Sequence, residues 1–370
     1  MMKRHEFIDN CLYEEGEGFD KYYLFQGEKD KRLSIQVNQM MELVKEIIKT
    51  KGNLFDQTKV SYGLIRVYCK NEYILRGLAD VLKLELWEDL YCKRYFLNAN
   101  PHVKLLIDAV EFYQIRKSNL EEAFSMFDSD NYELDVNVHM DNLNEFIDYI
   151  RQGGKAKEVR KIVRNFKRNA NNCLDSVNFL IDQLFERHGT ILVIRVDLAY
   201  KKELNNLNHI EQMYSQVKAD REHLFKNIRS NHNLFGDGYL GYIWKLEYGF
   251  FKGFHYHFMF FYNGALVRED ITKAWLIGRY WETVITNGRG THYNCNLNKD
   301  VYKYCGIGKI KWNDFEGIAN IKRAAQYLTK ADYYVKMLAE EGDRTFGRSE
   351  PDEFSNIPGR PRHYPIDSVS

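Results

Sequence analysis

Residues 253–262 read GFHYHFMFFY, and just upstream residues 244–249 read WKLEYG. Both stretches favour extended structure, and Gly249 and Gly253 between them suit the turn of an antiparallel hairpin. Alternation along a strand then puts His255, His257 and Met259 on one face and Phe254, Tyr256 and Phe258 on the other. One face packs; the other carries two imidazoles side by side. Working outward, the spacing predicts a strand at Thr190–Tyr200, a helix at His209–Ser230, strands at Tyr242–Tyr248 and Phe254–Tyr262, and a helix at Asp270–Ile285. Short strands at Thr291–Leu297 and Tyr302–Lys309 and a long helix at Phe315–Glu341 complete the pattern. Helices interleaved with paired strands mean an α+β domain on an antiparallel sheet with flanking helices.

The chain has 370 residues, 44% hydrophobic and 28% charged, with 5 Pro. Enough apolar side chain is present for two packed domains, and a disordered chain is excluded. No window is long and apolar enough to span a bilayer, and the N-terminus lacks an apolar leader, so the expected location is the cytoplasm. The six cysteines form no C-x-x-C pair and read as reduced thiols. The aromatic share of 15% exceeds what a core of this size needs, and base stacking is one use for it.

Charge divides the chain. Residues 1–150 carry 19 Lys and Arg against 27 Asp and Glu, net −8, whereas residues 151–370 carry 34 against 25, net +9. A run without cations from Ser118 to Ile150 gives way to eight cations between Arg151 and Arg168. At helical spacing most of these share one broad face, either a solvated surface or a phosphate-contacting arm. The expected organisation is an α-rich N-terminal domain over 1–140, an α+β domain with a basic arm over 141–342, and a tail over 343–370, loose or packed as an extended strap.

Two imidazoles on one strand face supply two ligands for a divalent metal, and Glu247, on the preceding arm of the hairpin, is positioned to be a third. A Glu with two His suits Mg²⁺ or Mn²⁺, which keep positions open for a phosphate oxygen. The same residues also fit satisfied core histidines, with Glu247 paired to Lys245 or Lys252. Downstream, Tyr327-Leu-Thr-Lys330 sets a phenol and an ammonium on adjoining helix faces, and Tyr334, seven residues on, projects within about 20° of Tyr327.

Glu247, then His255-Tyr256-His257 on a strand, then Tyr327-x-x-Lys330 on a helix resembles the HUH endonucleases, the histidine-hydrophobe-histidine family that opens DNA for rolling-circle replication. RVDLAY (195–200), WKLEYG, GFHYHFMFF, NGRGTHYNCN (287–296), GIG (306–308) and QYLTK (326–330) are similar to the filamentous-phage gene-two-type initiators and the related YagK/YfjJ C-terminal domain. The resemblance spans roughly residues 140–340 and implies an HUH-like fold. It further implies that His255, His257 and Glu247 hold Mg²⁺ or Mn²⁺ and that Tyr327 attacks single-stranded DNA at a replication origin. Lys330 would assist, and Tyr334 is the second candidate nucleophile. Arg160, Lys161, Arg164, Lys167 and Arg195 would contact DNA, with host helicase and polymerase as further partners and no role for a membrane.

Two other readings stand beside this one. Lys252-Gly253-Phe254-x-Tyr256 partly matches the first strand of an RNA-recognition motif, whose aromatics stack on bases without a metal. The same nuclease chemistry also serves transposition or plasmid mobilisation.

Overall fold

The computed structural model describes residues 20–59, 64–83, 100–115, 126–201, 210–249, 252–329, 335, 339 and 342–350. The N-terminal part is α-rich, as its apolar spacing predicts. Helices α1 (Asp20–Lys49), α2 (Glu72–Leu82), α3 (Pro101–Phe112) and α4 (Ser129–Lys155) accompany a small antiparallel sheet. That sheet, in order β1 (Phe55–Lys59), β2 (Leu64–Cys69), β3 (Met126–Asp128), was not legible beforehand. Asn71 and Asn100 cap α2 and α3 by accepting first-turn backbone N–H groups, and Pro101 begins α3 where its missing donor costs nothing.

The boundary expected at residue 140 is corrected. It falls inside α4, whose Leu143, Phe146, Ile147 and Ile150 pack with Met40, Val44 and Ile47 of α1 and Leu106 of α3 in one core. The sign change in charge lies on solvent faces, while the apolar stripe runs straight through it. Arg151 belongs to this unit as well. Its buried guanidinium donates to Thr50 Oγ1 and pairs with Asp148 at 2.7 Å, so it is no part of a DNA-contacting arm. The unit ends at Lys155, and Ala156 in an extended conformation separates α4 from α5 (Lys157–Arg187).

The second part is built on a six-stranded antiparallel sheet. Its strands are β4 (Thr190–Tyr200), β5 (Tyr239–Gly249), β6 (Gly253–Asn263), β7 (Gly290–Asn294), β8 (Gly308–Lys311) and β9 (Phe346–Arg348). They run in the order β7-β4-β6-β5-β9, with β8 sharing the outer edge of β4. Helices α6 (Ile210–Ser230) and α7 (Asp270–Tyr280) close one face over Leu192, Ile194, Trp244, Tyr256, Phe258 and Phe260. Helices α5 and α8 (Phe315–Leu328) close the other over Val193, Ile243, Met259 and Phe261. The mixed helical and antiparallel α+β architecture is thus present.

Three local expectations change. The strand sought at Tyr302–Lys309 is Gly308–Lys311, because Gly306 lies so close to the Asn320 carbonyl (2.4 Å for an added Cβ) that the chain there packs against α8 before it pairs. Helix α8 is capped at Thr329, and most of the rest of the long helix sought lies outside the described residues. The tail is not loose where it is described: Phe346–Arg348 extends the sheet beside β5 as a strap. Residues 351–370 lie outside the described residues. No helix among the described residues is long and apolar enough to cross a membrane, and Cys69, Cys173, Cys295 and Cys305 are free thiols.

β4 keeps its outer edge satisfied in an unusual way. β8 pairs with residues 190–193 and β7 with 196–200, leaving a gap at Ile194 and Arg195. The wholly buried Asn296 amide fills it, accepting from the Arg195 N–H at 2.8 Å and donating to the Val193 carbonyl and to Asp270 Oδ2, each at 3.0 Å. Asn296→Ala leaves these groups without that partner in a site closed to water. It is expected to cost about 2–4 kcal/mol, read from the urea midpoint at unchanged m-value.

A buried His-His-Glu cluster beside Tyr327

Strand register assembles the cluster. Across β5 and β6, Glu247 lies opposite His255 and Lys245 opposite His257; across β4 and β6, Asp197 lies opposite His257. His255 Nδ1 donates to the Gly253 carbonyl at 3.0 Å, which leaves its Nε2 as the free lone pair. His257 Nδ1 meets Asp197 Oδ1 at 2.5 Å. Its Nε2 lies 3.2 Å from Glu247 Oε2, and His255 Nε2 lies 3.8 Å from the same oxygen. Both Nε2 atoms therefore converge on one carboxylate.

One ligand atom from each of Glu247, His255 and His257 lies within 4.8 Å of the others. Two neutral imidazoles and a carboxylate, with each ring's far nitrogen already engaged, suit a divalent cation. Tyr256 does not crowd the site despite its bulk. It points through the sheet to the opposite core, where its hydroxyl donates to the Val217 carbonyl. Phe254 and Tyr256, the aromatics of the partial RNA-recognition match, are both fully buried.

Without a metal the charges settle among the side chains. Burial drives His255 down, with Lys252 and His257 adding to it, to about 3, so it is neutral at physiological pH. Burial also pulls His257 down, but the Asp197 and Glu247 carboxylates on either side outweigh it and raise it to about 9. Burial pushes Glu247 up, but His257, His255 and Lys245 together bring it to about 2. Asp197 is held well below the ordinary carboxylate range, because His257 and Arg195 more than offset its burial. The resting cluster thus carries one proton beyond the two neutral imidazoles, on His257 between two carboxylates.

Tyr327 sits in the last turn of α8 with its ring edge-on to His257, centroids 6.0 Å apart. The guanidinium of Arg195 lies over the same ring at 5.8 Å. The two catalytic candidates Lys330 and Tyr334 lie outside the described residues. Arg195, expected as a DNA contact, lies beside Tyr327 and Asp197. Two contributors escaped the sequence reading: Asp197 and Asn296. A signal for Asp197 was present, since an acid within the apolar strand TILVIRVDLAY must find a partner once buried.

The basic stretch is the N-terminal half of α5. Arg160, Lys161, Arg164 and Lys167 are all exposed, and their positions fall within an arc of about 120°. The C-terminal half of the same helix buries Val177, Leu180, Ile181 and Leu184 against the sheet. Cys173 lies close enough to Lys245 for the ammonium to favour its thiolate, although burial raises the thiol overall. From there the axis rises ~9 Å to Lys167 and ~20 Å to Arg160, so the cations lead away from the cluster along one rod.

Comparison with known proteins places this half of the chain. Residues 155–349, just over half of its length, match the YagK/YfjJ C-terminal domain, starting where α4 ends. The uncharacterized protein YagK of Escherichia coli (strain K12) is 24% identical over 199 residues, which cover 47% of this chain and 90% of that protein. No solved structure matches the chain.

Metal binding must displace the His257 proton. Mn²⁺ affinity, measured by calorimetry, is therefore expected to rise about tenfold per pH unit until pH approaches 9 and then to level. At pH 9, where the proton no longer competes, Asp197→Asn should weaken binding by roughly 10–100-fold by freeing the His257 ring. Affinity independent of pH between 6 and 8 would contradict this assignment.

Proposed function

The chain belongs to the YagK/YfjJ C-terminal domain family, and from that premise and the cluster's geometry we propose a metal-dependent endonuclease and strand transferase of the HUH type, acting on single-stranded DNA. The observation that carries the reading is the convergence of His255, His257 and Glu247 with the Tyr327 ring 6.0 Å from that of His257. A Mg²⁺ or Mn²⁺ ion held by the three side chains would polarise the scissile phosphate and offset the charge that develops on it.

Tyr327 supplies the nucleophile. As its Oη bonds to phosphorus, the bond from phosphorus to O3′ breaks; the phenol proton passes to water and the departing oxygen takes one up. The products are a 5′-phosphotyrosyl enzyme and a free 3′-OH that a host polymerase can extend, as initiation of rolling-circle replication at an origin requires. Resealing is the same exchange reversed, since one phosphodiester replaces another. Arg195, beside both Tyr327 and Asp197, is the cation placed to steady the oxygens of the transferring phosphate. Asp197 fixes the His257 ring. The exposed cations of α5 would follow the strand's phosphates away from the reaction.

Tyr327→Phe removes only the attacking oxygen. In labelled single-stranded origin-like DNA with Mn²⁺ it should abolish the covalent adduct seen on a denaturing gel, while DNA affinity stays within about twofold because phosphate contacts dominate binding. Adduct formation by this variant would refute the assignment.

Neutralising Arg160, Lys161, Arg164 and Lys167 together should weaken binding alike for all sequences. The log-log salt dependence should flatten by up to ~0.7 per lost contact. An unchanged slope would make this face a solvated surface.

A further inference from the structure

Beside β4, on the strand that flanks Asp197, lies an open pocket of about 430 Å³, within the roughly 300–1,000 Å³ usual for ligand sites. Ile271, Thr272 and Trp275 of α7 form one wall, and His292, Tyr293 and Asn294 of β7 form the other. Tyr293 is directly opposite Asp197 in the sheet. Two strand spacings, about 10 Å, therefore separate β7 from the strand of His257, and His292, opposite Leu198, stands on the α7 face of the sheet, across from the cluster.

The pocket's polar member is held with unusual care. His292 Nδ1 is bonded to Glu282 at 2.7 Å, and Glu282 stands in a π-helical turn, Trp281–Ile285, that continues α7. Such turns recur at functional sites. The opposite side of the ring lies flush on Gly278, where an added Cβ would stand 1.9 Å from it. The ring is thus clamped between a carboxylate and a bare backbone. With Nδ1 donating, Nε2 is left as an acceptor. Trp275, half-exposed, stands on the other wall, and the Arg279 guanidinium 6.0 Å from its ring is paired with Glu282 at 2.7 Å. A large flat ring and an acceptor make a receptor for a planar heteroaromatic group that carries N–H donors.

We propose that this pocket takes a nucleobase of the single strand where the strand passes round the β7 edge of the sheet, with Trp275 stacking on the base and His292 accepting from its N–H edge. The proposal rests on the nuclease reading above and makes Trp275 and His292 contributors to substrate choice. An apolar side chain of a protein partner could stack on Trp275 but would make no use of a clamped acceptor.

The test is made without metal, so that no chemistry intervenes. Full-length protein is titrated by fluorescence anisotropy with 12-mer deoxyoligonucleotides of each single base and with a 12-mer of abasic units of equal charge. The wild type should prefer at least one base-bearing oligomer over the abasic one. Trp275→Ala should cut that preference by roughly 5- to 150-fold, the value of one stacked base, with the salt slope unchanged. Trp275→Phe should restore part of it, and His292→Ala should narrow the differences among the four bases. Equal binding of base-bearing and abasic oligomers by the wild type, or an undiminished preference in Trp275→Ala, would overturn the pocket. An adduct formed through Tyr327 in Mn²⁺ would in that case leave the nuclease reading intact. Absence of that adduct from the wild type would remove the nuclease reading while leaving the base preference measurable in its own right.

Discussion

The rest of the C-terminal half depends on the register of three neighbouring strands, which holds His257 between Asp197 on β4 and Glu247 on β5. A slip of one residue on β6 would turn both histidines into the apolar core and bring Tyr256 and Phe258 out to meet two buried carboxylates. Such a slip is strongly opposed. On the other side of β6, Phe254, Tyr256, Phe258, Phe260 and Tyr262 are all enclosed beneath α6 and α7, and each buried aromatic contributes about 1.5–3 kcal/mol. Removing charges from water costs several kcal/mol per ion, and hydrogen bonding recovers only part of that. The aromatic column therefore stabilises a charged cluster that would not hold its own strand in place.

Around that register the helices are placed to reach the cluster from outside. α8 brings Tyr327 to His257 on the face of the sheet that it covers together with α5, and Gly306 lets the chain before β8 press against its Asn320 carbonyl. α5 joins two tasks in one rod: its C-terminal half is part of the core and its N-terminal half is exposed and basic. Any tilt of α5 on the sheet would carry the cationic face with it. The edge strand β7 continues the same logic, since it carries Tyr293 opposite Asp197 on one face and His292 against α7 on the other.

The N-terminal part obeys different pressures. Its core of Val44, Ile47, Leu106, Phe146 and Ile147 is aliphatic and helical, and its polar anchors are structural: Asn144 bonds the backbone of Leu54 and Phe55, and Arg151 bonds Thr50. Charge marks the transition between the two parts a few residues too early, because surface charge responds to solvent and partners whereas the core follows apolar periodicity. Ile147 and Ile150 stay with the first core although Arg151 already belongs, by sign, to the basic stretch.

What could be read from the chain alone is what local physics controls. Alternation in FHYHF separates imidazoles from packing aromatics whatever surrounds the strand, and the glycines at 249 and 253 direct a hairpin, so Glu247, His255 and His257 could be brought together on paper. The extent of β4 followed in the same way from the β-prone run TILVIRVDLAY ending at Tyr200. Contacts across long loops were another matter. That Asp197, sixty residues away, would orient His257, that Asn296 would fill the gap in β4, and that Arg195 would stand over Tyr327 depends on which strands become neighbours. Strand order is decided by how two apolar faces are best covered by four helices, a property of the whole packed domain. Residue spacing therefore determined the candidate ligands, and only the tertiary structure decided which groups hold them still and which cation faces Tyr327.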